Sequence, residues 1–446
     1  MFKQIKVTNF KSLCDVTLDF VVKGKIQSAL FFYGENGSGK SNIISTIGFL
    51  KDSVKTIGIN ETFAKLFEKQ EFKMLFNDEK FLNDLLKNSD LGRILSYSKT
   101  IASKDPMVMA YTFIIEGDEY TYEMMFNDKE IFSEKLLGPI NKNKITIFEV
   151  MKTNGLIDMK FNKSLFSNAY EQDFKKLLDQ YFGIHTALSI LRKELNTKNR
   201  KYIADNLHKS VLSVLEYIEK LSVSCNRGLG VDRSVLVERD MVTNLVEGTI
   251  NVSKVKKLDH SLEMIEKFLT GFYADIKGVS YEKTQDTEKI SYKLMIHKMI
   301  GNELRRIPAN LESTGTLKLL NLLPYLANLM RGGIVAIDEI DTGIHDLLMV
   351  EIVNHIKESS TFGQLIVSTH NTKLLDSMDK SDIFIIDSDV NGQKVIRNLT
   401  NFDIRIQKNH SIMNKYLNGS FGGTPSLGYV DFDDIFLNSS EDSNNE

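Results

Sequence analysis

GENGSGKS, residues 34–41, matches the pattern G-x-x-x-x-G-K-[ST]. The octet follows an apolar run, Ala29–Tyr33, and precedes a segment in which apolar residues recur at helical spacing from Lys40 onward. Its three glycines let the backbone curl so that successive N–H groups point at phosphate oxygens, and the N-terminus of the next helix adds a favourable dipole. The sequence therefore predicts a phosphate-binding loop between a buried strand and an amphipathic helix.

Each part of this loop has a predicted role in holding ATP and Mg²⁺. The Lys40 ammonium would reach the β- and γ-phosphates, and the Ser41 hydroxyl would ligate Mg²⁺. The predicted nucleotide-binding residues of the loop are Asn36, Gly37, Ser38, Gly39, Lys40 and Ser41. A glycine-rich turn that fits the pattern by chance is the alternative, and the strand and helix on either side weigh against it.

A second strand-like run, IVAIDE at residues 334–339, ends in two carboxylates. A buried parallel strand delivers such acids to the carboxyl edge of its sheet. Asp338 would hold Mg²⁺, directly or through water, and Glu339 would polarise the water that attacks the γ-phosphate. The alternative, a plain strand end whose acid caps a helix, loses weight because the phosphate-binding loop is also present.

A third run, QLIVST at residues 364–369, is followed by His370. An imidazole at that strand end could donate a hydrogen bond to the γ-phosphate while remaining near neutral, so His370 is a predicted catalytic residue beside Glu339. A capping or surface histidine is the alternative. His345 is predicted to be structural.

Together these motifs resemble the ABC-type ATPase heads shared by SMC, RecF-like and OLD-like proteins. The opening IKVTNFKSL and Asp341 after the Asp-Glu pair fit the same resemblance, and LESTGTLK at residues 311–318 is similar to the signature segment of those heads. Ser313 and Gly315 would match its serine and glycine. In the family this segment contacts the γ-phosphate held by the other subunit, which implies a homodimer around ATP, or a higher oligomer built from it. A helix N-cap is the alternative for such a Ser/Thr/Gly cluster.

The C-terminal sequence YLNGSFGGTP, residues 416–425, resembles the ending of stand-alone ATPases from AbiL-type abortive-infection systems of phage defence. Ser420 and Phe421 stand where that family usually has Arg and Tyr. The resemblance implies that the chain regulates a separate effector protein, a nuclease or a toxin. It provides no position for the glutamine that normally links the nucleotide to the helical lobe.

Composition is that of an ordinary globular protein, with 446 residues and a formal charge of −3. Residues 431–446 hold six acids and no Lys or Arg, so the rest of the chain is close to neutral, and a nucleic-acid partner depends on local patches. Two cysteines are too few for a disulfide framework, and no apolar stretch reaches the roughly 18 residues of a membrane span. We expect a cytoplasmic protein without a membrane partner.

The pattern along the chain predicts an α/β fold, an ABC-ATPase-like P-loop head with a mixed sheet, an antiparallel β meander near residues 107–132 and a helical insertion. The predicted divisions are 1–170, the N-terminal part of the head; 171–275, the helical insertion; 276–430, the C-terminal part of the head; and 431–446, an acidic disordered tail.

Three other functions are weighed against a defence ATPase. An SMC/RecF-like DNA repair ATPase is the main alternative, although an insertion of about 100 residues is short for SMC-type arms. An ATP-sensing scaffold is less favoured because Glu339 is intact. A nuclease site at Asp387 and Asp389 is less favoured than a hairpin turn, since Asn391-Gly392 follows.

Overall fold

The computed structural model describes residues 1–59, 88–140, 143–197, 200–226, 231–234, 241–359, 362–403, 411–425 and 429–436. Within these ranges the strands are β1 (Phe2–Phe10), β2 (Leu13–Asp19), β3 (Val21–Val22), β4 (Lys25–Ile26), β5 (Ala29–Tyr33), β6 (Met107–Ile115), β7 (Asp118–Phe126), β8 (Ile131–Ile140), β9 (Asn143–Thr153), β10 (Leu156–Phe161), β11 (Leu221–Asn226), β12 (Val231–Ser234), β13 (Glu247–Asn251), β14 (Ile276–Gln285), β15 (Lys289–Ile300), β16 (Glu303–Pro308), β17 (Ile334–Ile337), β18 (Gln364–Ser368), β19 (Ile383–Ser388) and β20 (Lys394–Asn398).

The helices in the same ranges alternate with these strands. They are α1 (Lys40–Ser53), α2 (Leu91–Ser96), α3 (Asn168–Tyr181), α4 (Ala187–Thr197), α5 (Arg200–Asn206), α6 (Lys209–Glu219), α7 (Lys256–Phe272), α8 (Thr314–Met330), α9 (Asp346–Glu358), α10 (Leu374–Ser377), α11 (Ile412–Leu417) and α12 (Phe432–Phe436). No helix in the described part of the chain is long and apolar enough to cross a membrane.

A seven-stranded sheet in the order β12-β11-β17-β18-β5-β19-β20 carries the predicted motifs. Its five inner strands are parallel, and the two outermost strands pair antiparallel to their neighbours. All residues of β5, β17 and β18 are buried, as expected for strands covered on both faces. The predicted mixed sheet is therefore present.

A second seven-stranded sheet, β10-β9-β8-β7-β6-β1-β2, is antiparallel throughout. Buried and more exposed residues alternate along β6 and β7, which is the pattern of a sheet with one face on the core. The meander predicted near residues 107–132 is confirmed and extends to Phe161. A smaller sheet, β13-β15-β14 with β16 beside β15, packs on α7 and α8.

Helix α1 lies between the two large sheets. It packs on β11 and β18 of the parallel sheet, and the Tyr111 hydroxyl of the antiparallel sheet donates to the Thr46 carbonyl at 2.7 Å. The predicted apolar stripe from Ile43 to Leu50 is buried, but so are Ser45, Thr46 and Lys51 on the other faces. A helix covered from both sides buries polar groups that an amphipathic pattern would leave in water.

The segment 171–275 differs from the expected helical insertion. Helices α3 to α6 end at Glu219, and β11 then joins the parallel sheet beside β17. Alternating serines in LSVSCN hide this strand from a hydrophobic pattern, because Ser222 is buried by hydrogen bonding to Asn328 and not by apolar contact. Strands β14, β15 and β16 then follow between residues 276 and 308.

Two of the predicted divisions fall partly outside the described ranges. In the N-terminal part of the head, α2 spans Leu91–Ser96, while residues 60–87 lie outside these ranges. In the predicted acidic tail, α12 spans Phe432–Phe436 instead of disordered chain, and residues 437–446 are not described.

Candidate nucleotide-binding site

Three neighbouring parallel strands end at one edge of the sheet, and predicted site residues follow each of them. Strand β5 leads into the loop at residues 34–41, β17 into Asp338 and Glu339, and β18 into His370. Strand β18 lies between the other two and pairs with both. The topology therefore brings together segments that are far apart in the sequence, as open α/β sheets do at their ligand sites.

Glycines shape the phosphate-binding loop. Gly37 and Gly39 have φ values of +79° and +105°, a left-handed conformation that glycine adopts without strain. A side chain at Gly34 would lie 2.6 Å from the Ser38 hydroxyl oxygen and 2.7 Å from the Ile386 carbonyl. The loop is thus packed too closely for any other residue at position 34.

The ammonium of Lys40 bends back over its own loop. Its Nζ donates to the carbonyls of Gly34 at 2.8 Å and Glu35 at 2.9 Å. Burial lowers the pKa of Lys40, and nearby carboxylates oppose that shift. The groups that raise the pKa are Asp338, Glu339, Asp341 and Glu35. Lys40 is therefore a cation surrounded by these four carboxylates at the carboxyl ends of the parallel strands.

Ser368, the last residue of β18, holds the Asp-Glu pair in place. Its hydroxyl donates to Asp338 Oδ1 at 2.6 Å and accepts from the backbone N–H of Glu339 at 2.7 Å. The sequence does not indicate this role of Ser368, because a serine at the end of a strand gives no local sign of its partners. It is a positioning residue for both carboxylates.

Glu339 has strained backbone geometry. Its φ is +51°, which costs a non-glycine residue about 1–3 kcal/mol and is found mainly where the surroundings impose it. The side chain is exposed, and Oε2 accepts from the Thr342 hydroxyl at 3.2 Å. The strain turns the chain at the strand end, and the carboxylate is left accessible to solvent beside Asp338.

Three buried polar atoms at this edge have no hydrogen-bond partner within the described chain. They are Ser38 Oγ, Asp338 Oδ2 and Asp341 Oδ1. Buried polar atoms are nearly always bonded, so three in one place indicate a site built for a polar ligand. Two carboxylate oxygens and a hydroxyl are also hard donors of the kind that Mg²⁺ prefers.

His370 lies within reach of the same charges. Its backbone N–H donates to Asp341 Oδ2 at 3.2 Å. Burial lowers the pKa of the imidazole, and the charge of Lys40 lowers it further, while the three carboxylates act in the opposite direction. The imidazole is therefore neutral at neutral pH, the form in which it could donate one hydrogen bond to a γ-phosphate.

The predicted signature segment begins helix α8. The Ser313 hydroxyl accepts from the Thr316 backbone N–H at 3.2 Å, so Ser313 is the N-cap of the helix. A Cβ at Gly315 would lie 3.1 Å from the carbonyl of Gly343, in the loop that follows Glu339. The segment thus packs against the acidic strand end within its own chain, on the side away from β5.

The C-terminal segment also reaches the phosphate-binding loop. The Tyr416 ring packs against Tyr33 at the end of β5, with centroids 5.8 Å apart, and its hydroxyl donates to the Gly423 carbonyl at 2.8 Å. A Cβ at Gly423 would lie 3.4 Å from Gly34 Cα. Phe421 is buried in the core beneath the site. The two consecutive glycines of the ending are needed for this close approach.

Two predictions of structural roles are confirmed. His345 caps α9, with Nδ1 accepting from the Leu347 backbone N–H at 3.3 Å. Asp389 Oδ1 accepts from the backbone N–H groups of Asn391 and Gln393, so this region is the hairpin turn between β19 and β20. Among the described residues no three His, Cys, Asp or Glu side chains form a cluster that could hold a metal ion alone.

Comparison with known proteins agrees with this geometry. Residues 237–376 match the family described as "AAA domain, putative AbiEii toxin, Type IV TA system". That span includes Ser313, Asp338, Glu339 and His370 but not the phosphate-binding loop. The chain is 21% identical over 426 residues to the "Retron Ec83 probable ATPase" of Escherichia coli, covering 87% of this chain and 71% of that protein.

Similar solved structures include the SMC head domain of Thermotoga maritima, at 17% identity with a TM-score of 0.36, covering 91% of this chain and 99% of that one. The Smc head domain of Pyrococcus furiosus bound to the C-terminal domain of ScpA has 15% identity and a TM-score of 0.39, covering 90% and 96%. The family match and the Escherichia coli relative confirm the resemblance to ABC-type ATPase heads that the motifs carry.

Proposed function

We propose that this chain is a Mg²⁺-dependent ATPase that dimerises around ATP and regulates a separate effector protein in antiphage defence. The observation that carries the proposal is the convergence of Lys40, Asp338, Glu339 and His370 at the ends of three adjacent parallel strands. Phosphoryl transfer requires positioned charge more than covalent chemistry, and this edge supplies it.

The site residues divide into a phosphate side and a metal side. Backbone N–H groups of residues 36–39 and the Lys40 ammonium would bind the phosphates of ATP. Ser41 and Asp338 would hold Mg²⁺, which neutralises the charge that develops on the phosphates when it is bound. Mg²⁺ is usually held by one or two carboxylates together with substrate phosphates and water, so the absence of a larger acidic cluster among the described residues fits this ion.

Hydrolysis would depend on Glu339 and His370. The exposed Glu339 carboxylate would orient the attacking water and accept its proton, and its strained backbone fixes its direction. The neutral His370 imidazole would donate a hydrogen bond to the γ-phosphate. Lys40 would offset the negative charge on the transferred group.

Dimerisation would make the site complete. The cap at Ser313 leaves the N-terminus of α8 at the surface, where its backbone N–H groups and positive dipole could meet a γ-phosphate held by a second copy. A signature role and a capping role are compatible, because Ser313 Oγ can accept from both the backbone N–H of Thr316 and the Thr316 hydroxyl, 2.9 Å away, and still donate its own proton. The proposed assembly is a homodimer, with a higher oligomer as an extension.

The defence role rests on similarity. The named relative belongs to a retron, the matched family description refers to a toxin and a toxin–antitoxin system, and the C-terminal ending resembles that of AbiL-type ATPases. A separate nuclease or toxin as the effector and a cytoplasmic location are further parts of the proposal. A pull-down from cells that express the neighbouring gene, followed by nuclease assays with and without ATP, would identify this effector.

Glu339→Gln tests the proposed chemistry directly. The amide keeps the shape of the side chain but cannot accept the proton of the attacking water, so turnover should fall about 100-fold or more while ATP still binds. Light scattering should then detect a stable dimer in the presence of ATP and Mg²⁺.

The matched control is Glu116→Gln, at an exposed glutamate in the turn between β6 and β7. It should change neither turnover nor dimerisation. Hydrolysis by Glu339→Gln at the wild-type rate would contradict the assignment of this carboxylate.

A further inference from the structure

The residues on either side of His370 are both held by strand β5. On the N-terminal side the backbone N–H of the buried Thr369 donates to the Phe32 carbonyl at 3.2 Å. On the C-terminal side the carbonyl of Asn371, which is 3% exposed, accepts a hydrogen bond from the Tyr33 hydroxyl at 3.0 Å. Because β5 leads directly into the phosphate-binding loop, these two bonds fix the backbone of His370 relative to that loop.

Of these two bonds, the one from Tyr33 is made by a side chain, so it can be removed without changing the backbone. The ring of Tyr33 is buried, and the Asn371 carbonyl also accepts from the backbone N–H of Leu374 at 3.3 Å, where α10 begins. The carbonyl would therefore keep a hydrogen-bond partner if the tyrosine hydroxyl were lost. What the hydroxyl adds is a direct connection between β5 and the chain that carries His370.

The C-terminal segment joins the same tyrosine to the same chain by a second route. Tyr416 of α11 packs edge to face on Tyr33, with an angle of 66° between the rings, a favourable aromatic arrangement. Helix α11 is in turn bonded to α10, because the Asp376 carboxylate accepts from the Met413 backbone N–H at 3.0 Å. Since α10 begins four residues after His370, the ring of Tyr33 is held in position by the segment that it helps to connect.

We propose that Tyr33 is a positioning residue for His370: its hydroxyl, through the Asn371 carbonyl, holds the imidazole where it can donate to the γ-phosphate. This inference rests on the role of His370 in the proposed function. A donor contributes to phosphoryl transfer only when it is held in the correct geometry, and small displacements are costly. Loss of the tyrosine hydroxyl should therefore lower kcat for ATP hydrolysis and leave KM nearly unchanged, because the loop at residues 34–41 keeps its own contacts.

Steady-state ATP hydrolysis by Tyr33→Phe tests the proposal. Turnover should fall about tenfold, while KM for ATP stays within about twofold of the wild type. The matched control is Tyr281→Phe, which also removes a buried hydroxyl that donates to a backbone carbonyl, that of Leu245 at 2.9 Å, in the sheet that contains β14. Thermal denaturation should show similar losses of stability for the two variants, but the control should keep the wild-type kcat. Wild-type turnover by Tyr33→Phe, or an equal loss of turnover in both variants, would overturn the proposal.

A double variant shows whether the tyrosine acts through the histidine. His370→Ala should lower kcat about 100-fold, and adding Tyr33→Phe to it should cause no further loss, because the imidazole that the tyrosine positions is already absent. A further tenfold loss in the double variant would overturn the proposal. If His370→Ala hydrolysed ATP at the wild-type rate, the role proposed for His370 would fail and this inference with it. Slow turnover by His370→Ala together with normal turnover by Tyr33→Phe would overturn this inference alone.

Discussion

Two carboxyl groups with buried oxygen atoms, Asp338 and Glu134, lie near opposite ends of helix α1 and differ in their hydrogen bonding. At the N-terminal end of the helix, Asp338 Oδ2 and the neighbouring Ser38 Oγ have no hydrogen-bond partner in the described part of the chain. Beyond its C-terminal end the Glu134 carboxylate is buried with both oxygens bonded: Oε1 accepts from the Tyr122 hydroxyl and the Leu188 backbone N–H, and Oε2 accepts from the Ala187 backbone N–H.

The same contrast extends to the neighbouring groups. Near the C-terminal end His185 Nδ1 and the Thr56 hydroxyl are 2.8 Å apart, and Thr56 also bonds Ser189. Near the N-terminal end Glu339 stands in strained backbone. Unbonded oxygens at Ser38 and Asp338, together with backbone strain at Glu339, therefore distinguish the proposed nucleotide end from the fully bonded Glu134 carboxyl group, which joins the antiparallel sheet to α4.

Two lysines of α1 provide the strongest test of this contrast. Lys40→Ala should weaken ATP binding about 1000-fold, or about 4 kcal/mol, because it removes the cation of the phosphate loop, and it should leave the melting temperature nearly unchanged. Lys51 is buried and donates to the Leu221 carbonyl. Lys51→Ala should cost about 2 kcal/mol of folding stability and leave ATP affinity within about twofold.

Isothermal titration calorimetry and thermal denaturation measure the two quantities separately. If Lys51→Ala weakened ATP binding as much as Lys40→Ala, the two ends of the helix would not differ in function, and the comparison would fail.

The buried carboxyl group of Glu134, beyond the C-terminal end of α1, should make folding stability depend on pH. Burial raises the pKa of its carboxyl from 4.5 to about 7, against the hydrogen bonds that lower it. The folded chain therefore keeps a proton between about pH 4.5 and 7 that the unfolded chain has lost. The contribution of Glu134 to the free energy of unfolding should fall as pH rises through this window, by about 3 kcal/mol, and level off above it.

Glu134→Gln should remove this slope, because the amide does not titrate. Denaturant unfolding at several pH values between 5 and 8 measures the free energy of unfolding of both proteins. The stability of the wild type relative to the variant should decrease as pH rises across the window. Parallel curves would show that Glu134 does not titrate there.

Gly423 provides the next test, because it packs the C-terminal segment against the phosphate-binding loop at the N-terminal end of helix α1. Gly423 and Gly419 both have positive φ, +68° and +73°. A Cβ at Gly423 would meet Ile385 at 2.8 Å and the Ile386 carbonyl at 2.9 Å, whereas at Gly419 the nearest atom is 3.5 Å away. Gly423→Ala should therefore cost about 2 kcal/mol more than Gly419→Ala.

Thermal denaturation of both variants measures this difference. Because both positions have positive φ, the backbone strain of an alanine is the same in the two variants and cancels. Equal losses would mean that the close approach to the phosphate-binding loop is not a constraint on position 423.

Local patterns explain how much of this molecule could be predicted. The strand at Ala29–Tyr33, the loop after it and the Asp338-Glu339 pair each carry their signal in a few consecutive residues, and parallel strands then bring them together. Contacts such as Gly423 against Gly34 carry no local signal, because they join opposite ends of the chain. Strand β11 lacks a hydrophobic pattern because its buried Ser222 is held by a hydrogen bond to Asn328 and not by apolar packing.

Ser368 is the test with the smallest expected effect, because its hydroxyl bonds both Asp338, the proposed metal ligand, and the backbone of Glu339, the proposed base. Ser368→Ala removes the donor to Asp338 Oδ1 and the acceptor for the Glu339 N–H. Turnover should fall about tenfold while ATP affinity stays within about twofold, since the phosphate loop is untouched. Ser368→Thr, which retains the hydroxyl, should recover most of the rate. If Ser368→Ala lowered ATP affinity and turnover equally, the residue would support binding of the nucleotide and not the placement of Glu339.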